Sequence, residues 1–419
     1  MGMWIGEETK VHSDKAGSSR RGLLRQFVEW LDARDRAPDE LLGLCLERIT
    51  ARDEQLRAWV QVAPQPALGS GPLNGIPFGA KDIYETLGLA TEYGSPLYAG
   101  RKGVSDARLI TDLRKLGAVL VGKTQTTAFA YFDPAPTCNP HQPDHTPGGS
   151  SSGSAVAVAA GMVPFALGTQ TLGSVLRPAS FCGVVGFKPS VGLLPLEGVL
   201  PFAPSLDTAG LFTQSADDMQ LLWTRMGHAT GSAKRSLSIP SLMPPVEPAM
   251  EVAFRRTMER LDPHFSFNVV EMPTRFAEMA AAVKRICTYE GARTHEARWR
   301  EHGDAIGHKL AQLVEGGLRI PADEYRAALT TVAEIKREMS SLFRQYPVLI
   351  TPSAPGPAPA GLESTGDPIM NLPWTALGVP AISIPMPALG LPLGLQLVSE
   401  SGSDAALLAL AVEIEAILQ

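Results

Sequence analysis

The sequence predicts an α/β protein in which short, buried strands alternate with helices. Apolar segments of strand length end at Lys81, Gly122 and Gly168, and segments of helical periodicity separate them. Helical patterns dominate from about residue 213 to residue 345, after which apolar strand patterns return. We therefore expect residues 21–419 to form a single α/β unit that carries a helical insertion at about 213–345.

The composition limits the classes of function. With 419 residues, 44% apolar and 19% charged, the chain has the composition of a globular protein with a large core. A net charge of −6 gives no electrostatic case for binding nucleic acid or an anionic membrane. The sequence has no run of about 18 apolar residues, which argues against a membrane-spanning helix. We expect a small-molecule ligand, with no nucleic acid and no membrane as partner.

The cysteines and the N-terminal segment favour a cytoplasmic protein. The four cysteines are far apart and form no CxxC pair, which fits reduced thiols better than disulfides or a zinc site. Residues 1–20 lack the apolar stretch of a secretory signal and are expected to be a disordered tail.

Two turns rich in glycine and serine lie within residues 146–192 and indicate a catalytic site. Glycine lets backbone N–H groups approach a ligand closely, and an activated serine needs both a proton acceptor and donors for the developing oxyanion. None of the eight histidines lies in a strand-end motif, so no Ser–His–Asp set is evident. Lys81 ends an apolar strand, where burial would favour its neutral form, and is therefore the preferred base.

The residues around these motifs argue against the other kinds of site that the motifs could suggest. The pattern GSSSG at 149–153 would place a hydrolase nucleophile at Ser151, but a proline-rich loop precedes it where a strand is required. No Gly-Lys-Ser/Thr follows the glycines, which excludes a phosphate-binding loop, and no Ser-x-x-Lys of the β-lactamase type occurs. Prolines prevent the helix that would align His141 with His145, so we expect no metal and no cofactor.

Three motifs together resemble the amidase signature family: GIPFGAKD at 75–82, PGGSSSGSAVAVAAG at 147–161 and LGTQTLGSVLRPASFCGVVGFKPS at 167–190. The resemblance extends from about residue 40 to the C-terminus. It implies α/β/α layers around a mixed central β-sheet of about ten strands, which is large for one domain. Within the family, Gln170, Arg177 and STGDP at 364–368 most resemble the malonamidase branch.

The resemblance also implies a Ser-cisSer-Lys catalytic set. Ser174 would be the nucleophile, Ser150 the bridging serine after a cis peptide bond, and Lys81 the base. Backbone N–H groups would form the oxyanion hole, and further residues would bind the substrate. The oxyanion donors are Thr171, Leu172, Gly173 and Ser174, and the substrate-binding candidates are Arg177, Ser152 and Leu172.

Each assignment has a structural alternative. Ser150 could serve as a helix N-cap, and Arg177 could form a structural ion pair instead of holding a substrate carboxylate. We expect Asp207 to be structural rather than catalytic. Tyr289 and Glu290 are further candidates for lining the pocket.

Leu172 departs from the family pattern, in which most members have glycine. If the backbone there has a positive φ, leucine would be strained. We expect slower turnover or a narrower acyl pocket.

The predicted function is hydrolysis of a small carboxamide to a carboxylate plus ammonia or an amine through an acyl-Ser174 intermediate. The substrate would be malonamate-like, or a neutral or aromatic amide for which Leu172 and Phe132 supply an apolar wall. Family resemblance also implies a homodimer. The alternatives are a glutaminase-like subunit that feeds ammonia to a partner in an amidotransferase complex, and a catalytically silent interaction protein, which only Leu172 suggests.

Overall fold

The computed structural model of the protein describes residues 22–419; the tail expected at 1–20 lies outside them. Within this range the strands form one eleven-stranded mixed sheet in the order β1-β3-β2-β4-β6-β5-β10-β11-β9-β7-β8. The predicted α/β class is confirmed. The strands are β1 (Trp59–Gln65), β2 (Pro77–Lys81), β3 (Val119–Thr124), β4 (Phe165–Gln170), β5 (Val185–Lys188), β6 (Thr208–Thr213), β7 (Ser236–Pro240), β8 (Ser266–Val270), β9 (Val348–Pro352), β10 (Ala381–Met386) and β11 (Leu393–Ser399).

Helices cover both faces of the sheet. Every residue of β4, β5, β6 and β11 is therefore buried. None of the helices within residues 22–419 is long and apolar enough to span a bilayer. The helices are α1 (Leu23–Ala33), α2 (Pro38–Leu56), α3 (Arg108–Lys115), α4 (Ser152–Ala159), α5 (Leu176–Cys182), α6 (Ala216–Arg225), α7 (Pro248–Leu261), α8 (Met279–His302), α9 (His308–Leu318), α10 (Ala322–Gln345), α11 (Leu372–Ala376) and α12 (Asp404–Leu418).

The segment 213–345 contains α6 to α10, and also the strands β7 and β8. These strands pair in parallel with each other, and β7 pairs with β9. The segment therefore extends the same sheet at one edge, while its helices α9 and α10 both pack against α8.

Parallel pairing of β2 with β4 positions the motifs of the sequence. Because neighbouring parallel strands end at the same edge of a sheet, Lys81 at the end of β2 lies near Gln170 at the end of β4. The loop that follows β4 leads into α5, and the other glycine-rich turn leads into α4. Both turns therefore meet Lys81 at one edge of the sheet.

Candidate active site

Lys81 is fully buried and forms the centre of a small hydrogen-bond network. Its Nζ donates to Ser150 Oγ at 2.7 Å and to Thr169 Oγ1 at 2.8 Å. Burial lowers the pKa of the Lys81 ammonium group from 10.5 to about 7, and the Asp207 carboxylate opposes this shift. A substantial fraction of Lys81 is thus neutral near pH 7 and able to accept a proton.

Ser150 follows a cis peptide bond from Gly149 and is 3% exposed. A Cβ at position 149 would lie 2.9 Å from the side-chain methyl groups of Thr127 and Thr365, so glycine is required there. The N-cap residue of α4 is Ser151 rather than Ser150. The Ser150 hydroxyl is instead 2.7 Å from Lys81 Nζ, a distance over which a proton can pass between the two groups.

Ser174 lies in the loop between β4 and α5 and lines this cavity together with Ser150, Leu172 and Arg177. The cavity is narrow, with a volume of about 20 Å³. A Cβ on Gly173 would lie 2.5 Å from the Asn371 side-chain oxygen, so the loop tolerates no side chain at that position. The structure thus brings the three predicted catalytic residues to one edge of the sheet, although they are far apart in sequence.

Gln170 holds the loop that carries Ser174. Its Oε1 accepts from the backbone N–H groups of Val175 at 2.9 Å and Leu176 at 3.1 Å. Its Nε2 donates to Thr375 Oγ1 at 2.9 Å, and that hydroxyl donates to the Leu172 carbonyl oxygen at 3.1 Å. The loop is therefore fixed before and after the serine. Sequence analysis missed this role of Thr375, and no local signal marks a partner 205 residues away.

Arg177 lies one turn after Ser174, on α5, and is 2% exposed. Its Nη2 donates to the Gly149 carbonyl oxygen at 2.7 Å and to Thr365 Oγ1 at 3.2 Å, whereas Nε and Nη1 have no partner within residues 22–419. Burial lowers the pKa of Arg177 to about 10, and Asp367 opposes the shift. Arg177 forms no salt bridge within the described residues, so it does not take the alternative role of a structural ion pair there.

Comparison with known proteins agrees with this geometry. The sequence pattern of the amidase family, described simply as "Amidase", matches residues 40–408, which is most of the chain. This chain belongs to the amidase family. It is accordingly an amide-hydrolysing enzyme.

Relatives of this amidase are known from sequence and from structure. It is 31% identical to a glutamyl-tRNA(Gln) amidotransferase subunit of Chloroflexus aggregans, over 88% of this chain and 91% of that protein. A crystal structure of an amidase superposes with a TM-score of 0.84 at 29% identity, covering 94% of this chain and 100% of the other. The corresponding amidotransferase subunit from Thermotoga maritima gives a TM-score of 0.76 at 27% identity, over 89% and 90% of the two chains. These relatives support the family, but none of them is a malonamidase.

Ser152 and Asp207 stabilise the two turns of the amidase. The Ser152 hydroxyl donates to the Gly148 carbonyl oxygen at 2.7 Å, within the first turn. The Asp207 carboxylate accepts from the Thr171 hydroxyl at 2.6 Å and from the N–H groups of Phe202 and Ala203. Burial raises the pKa of Asp207 to about 6. Ser152 does not line the catalytic cavity.

The remaining candidates lie away from the catalytic cavity. Glu290 accepts from the Ser205 N–H group and from the Tyr325 hydroxyl, and Tyr289 stacks on Tyr325. Helix α8 contributes Cys287 to the cavity wall instead. No group of three potential metal ligands lies close together in the described part of the chain, and His141 Nε2 contacts the Cys182 carbonyl oxygen at 2.8 Å.

Leu172 separates the narrow inner cavity from an outer cavity of about 390 Å³ and lines both. Its φ is not positive, so the backbone strain that a left-handed conformation would impose does not arise. The side chain instead occupies space where the two cavities meet, beside Phe132, which also lines both cavities. The effect of Leu172 is therefore steric.

Replacing Leu172 with glycine is expected to widen the catalytic cavity where it meets the outer cavity. We expect Leu172→Gly to raise kcat/KM by about 10-fold for amides with bulky acyl groups, relative to short ones, because a side chain that excludes them is removed. Steady-state rates on a series of acyl lengths measure this. Leu242→Gly, at an exposed surface position, serves as the control. Indistinguishable rates for the native enzyme and Leu172→Gly across the series would contradict the prediction.

Proposed function

We propose that this amidase hydrolyses a short carboxamide whose acyl group carries a carboxylate, through an acyl-Ser174 intermediate. The observation that carries the proposal is that Arg177, two of whose nitrogens have no hydrogen-bond partner within the described residues, lines the same cavity as Ser150 and Ser174. The buried contact of Lys81 with Ser150 supplies the base.

The proposed reaction follows from this arrangement. Ser174 Oγ attacks the amide carbon while its proton passes to Ser150, and the proton of Ser150 passes to neutral Lys81. The backbone N–H groups of Thr171, Leu172, Gly173 and Ser174 stabilise the oxyanion. The C–N bond then breaks, and the nitrogen leaves with a proton returned through Ser150. Water hydrolyses the ester by the same route.

Arg177 supports a carboxylate-bearing substrate and hence the malonamidase-like branch. A buried donor without a hydrogen-bond partner costs about 1–3 kcal/mol, and more when the group is charged. A guanidinium N–H group forms a strong, charge-assisted hydrogen bond with a carboxylate, and Nε and Nη1 both have no hydrogen-bond partner within the described residues. These two nitrogens face different edges of the guanidinium group, so one carboxylate would use one of them. The small volume of the inner cavity favours a short acyl chain, as in malonamate.

Removing the guanidinium tests this assignment. We expect Arg177→Ala to lower kcat/KM for malonamate by about 100-fold while the neutral amide of the same length changes little, because only the acid uses the ion pair. Initial rates on the two substrates measure the preference. Arg255→Ala, at an exposed position on α7, is the control. An equal loss on the acid and the neutral amide would contradict a carboxylate-binding role.

A second candidate is a glutaminase-like subunit, which the 31% identity to part of an amidotransferase favours. Glutamine also carries a carboxylate and a primary amide, but the amide is farther from the acid than in malonamate. Glutamine hydrolysis by the purified chain, present only after a partner protein is added, would favour this candidate. The homodimer, the cytoplasmic location and the single domain at 21–419 stay predictions.

A further inference from the structure

A second cavity adjoins the catalytic cavity on the far side of Thr171. This cavity, which we call the rear chamber, has a volume of about 170 Å³. It shares the wall residues Ala130, Thr171 and Phe202 with the catalytic cavity. Its other walls include Leu196, Val199 and Leu200, from the loop between β5 and β6. The proposed function assigns no part of the reaction to this space.

The polar groups of the rear chamber are already paired. The Asp207 carboxylate accepts three hydrogen bonds, one of them from Thr171. The Thr169 hydroxyl accepts from Lys81 at 2.8 Å. What remains is mostly apolar surface from leucine, valine, isoleucine and proline side chains. A ligand gains most here by burying apolar atoms rather than by presenting a charge.

The rear chamber meets the proton relay of the proposed reaction at Thr169. Thr169 lines the chamber and contacts Lys81, which in turn contacts Ser150. In the proposed reaction the proton returns to the amide nitrogen through Ser150. Arg177 lines the catalytic cavity but not the chamber. When the acyl group of an amide is anchored at Arg177, the substituent on its nitrogen would therefore point towards the chamber.

We propose that the rear chamber binds an apolar substituent on the nitrogen of the substrate, an alkyl or aryl group up to about the size of a phenyl ring. An apolar cavity of about 150 Å³ is known to hold benzene, so the volume suffices. The inference rests on the proposed function and names its substrate class as secondary amides. As the ester bond to Ser174 forms, the C–N bond breaks and the nitrogen takes one proton from Ser150, so the product is a neutral primary amine.

Substrates that differ only at nitrogen test the rear chamber. The primary amide, the N-butyl amide and the anilide of one short acid are compared for the full-length native enzyme and for two variants that fill the chamber, Val199→Trp and Leu200→Trp. We expect each variant to lower the ratio of kcat/KM for the N-substituted amides to that for the primary amide by about 10-fold or more. The control Leu193→Trp lies in the same loop, outside the chamber and 43% exposed, and should leave every rate unchanged.

The outcomes separate this inference from the proposed function. Hydrolysis of the primary amide with no hydrolysis of the N-substituted amides would overturn the rear chamber alone. So would an unchanged ratio in both variants, or a loss that follows acyl length instead. If the native enzyme hydrolyses none of these amides and also fails on malonamate, the proposed function fails and the inference falls with it. Competitive inhibition by aniline, weakened in Val199→Trp, is an independent supporting measurement if turnover of that variant is low.

Discussion

Ser174→Ala is expected to lower kcat for any amide that this enzyme hydrolyses by about a million-fold, the scale seen when a serine nucleophile is removed. No acyl ester can form without the hydroxyl, and the backbone donors of the loop are left to act alone. Single-turnover and steady-state rates measure the loss. Ser180→Ala is a matched control, because Ser180 is buried on α5, just after Ser174, and its hydroxyl has no hydrogen-bond partner within residues 22–419.

Covalent labelling separates catalysis from mere binding. A fluorophosphonate should label the native enzyme and the Ser180→Ala control, and labelling should be lost in Ser174→Ala. Native protein that stays unlabelled would contradict the nucleophile and favour the catalytically silent interaction protein.

The activity is expected to rise with pH through about 7, in step with the deprotonation of Lys81. Burial lowers the pKa of Lys81 to about 7, so the lysine is mainly neutral above that pH and mainly protonated below it. Only the neutral amine accepts the proton relayed by Ser150, so kcat/KM should fall about 10-fold per pH unit on the acid side. Lys81→Met should lower kcat/KM by about a thousand-fold at pH 8 and remove this dependence.

Four other buried groups within the described residues, Lys188, Asp207, Asp218 and Glu415, titrate near the same pH, so the Lys81→Met variant decides the assignment. Burial lowers the pKa of Lys188 to about 7 and raises that of Asp207 to about 6. Only Lys188 can produce a rising limb through the stability of the fold, because its lowered pKa makes stability rise with pH above about 7. A carboxyl group with a raised pKa makes stability fall as pH rises. The pH profile of Lys81→Met should be flat: kcat/KM should change much less than about ten-fold between pH 6 and pH 8. Circular dichroism over the same range verifies that the variant stays folded. A limb that persists there would show that Lys81 is not its source.

Much of the active site was predictable because its chemistry is local. A lysine at the end of an apolar strand and two turns of small residues pointed to Lys81 and to the two turns, and the resemblance to the amidase signature family then singled out Ser150 and Ser174. The alternation of strand and helix patterns predicted the α/β class. The strands β7 and β8 were harder to predict, since β8 is partly exposed at the sheet edge and lies among long helices.

The amino-acid sequence by itself thus predicted the α/β architecture and located the two turns and Lys81, since these depend on residue type and short-range spacing. Its motifs indicated the reaction class through their resemblance to the amidase signature family. Tertiary structure decided the rest. It placed Thr375 against Gln170, left two donors of Arg177 unpaired within the described residues, gave Leu172 an unstrained backbone and opened the rear chamber behind Thr171. These features depend on contacts between segments that are distant along the chain, and their geometry is set only when the whole core packs.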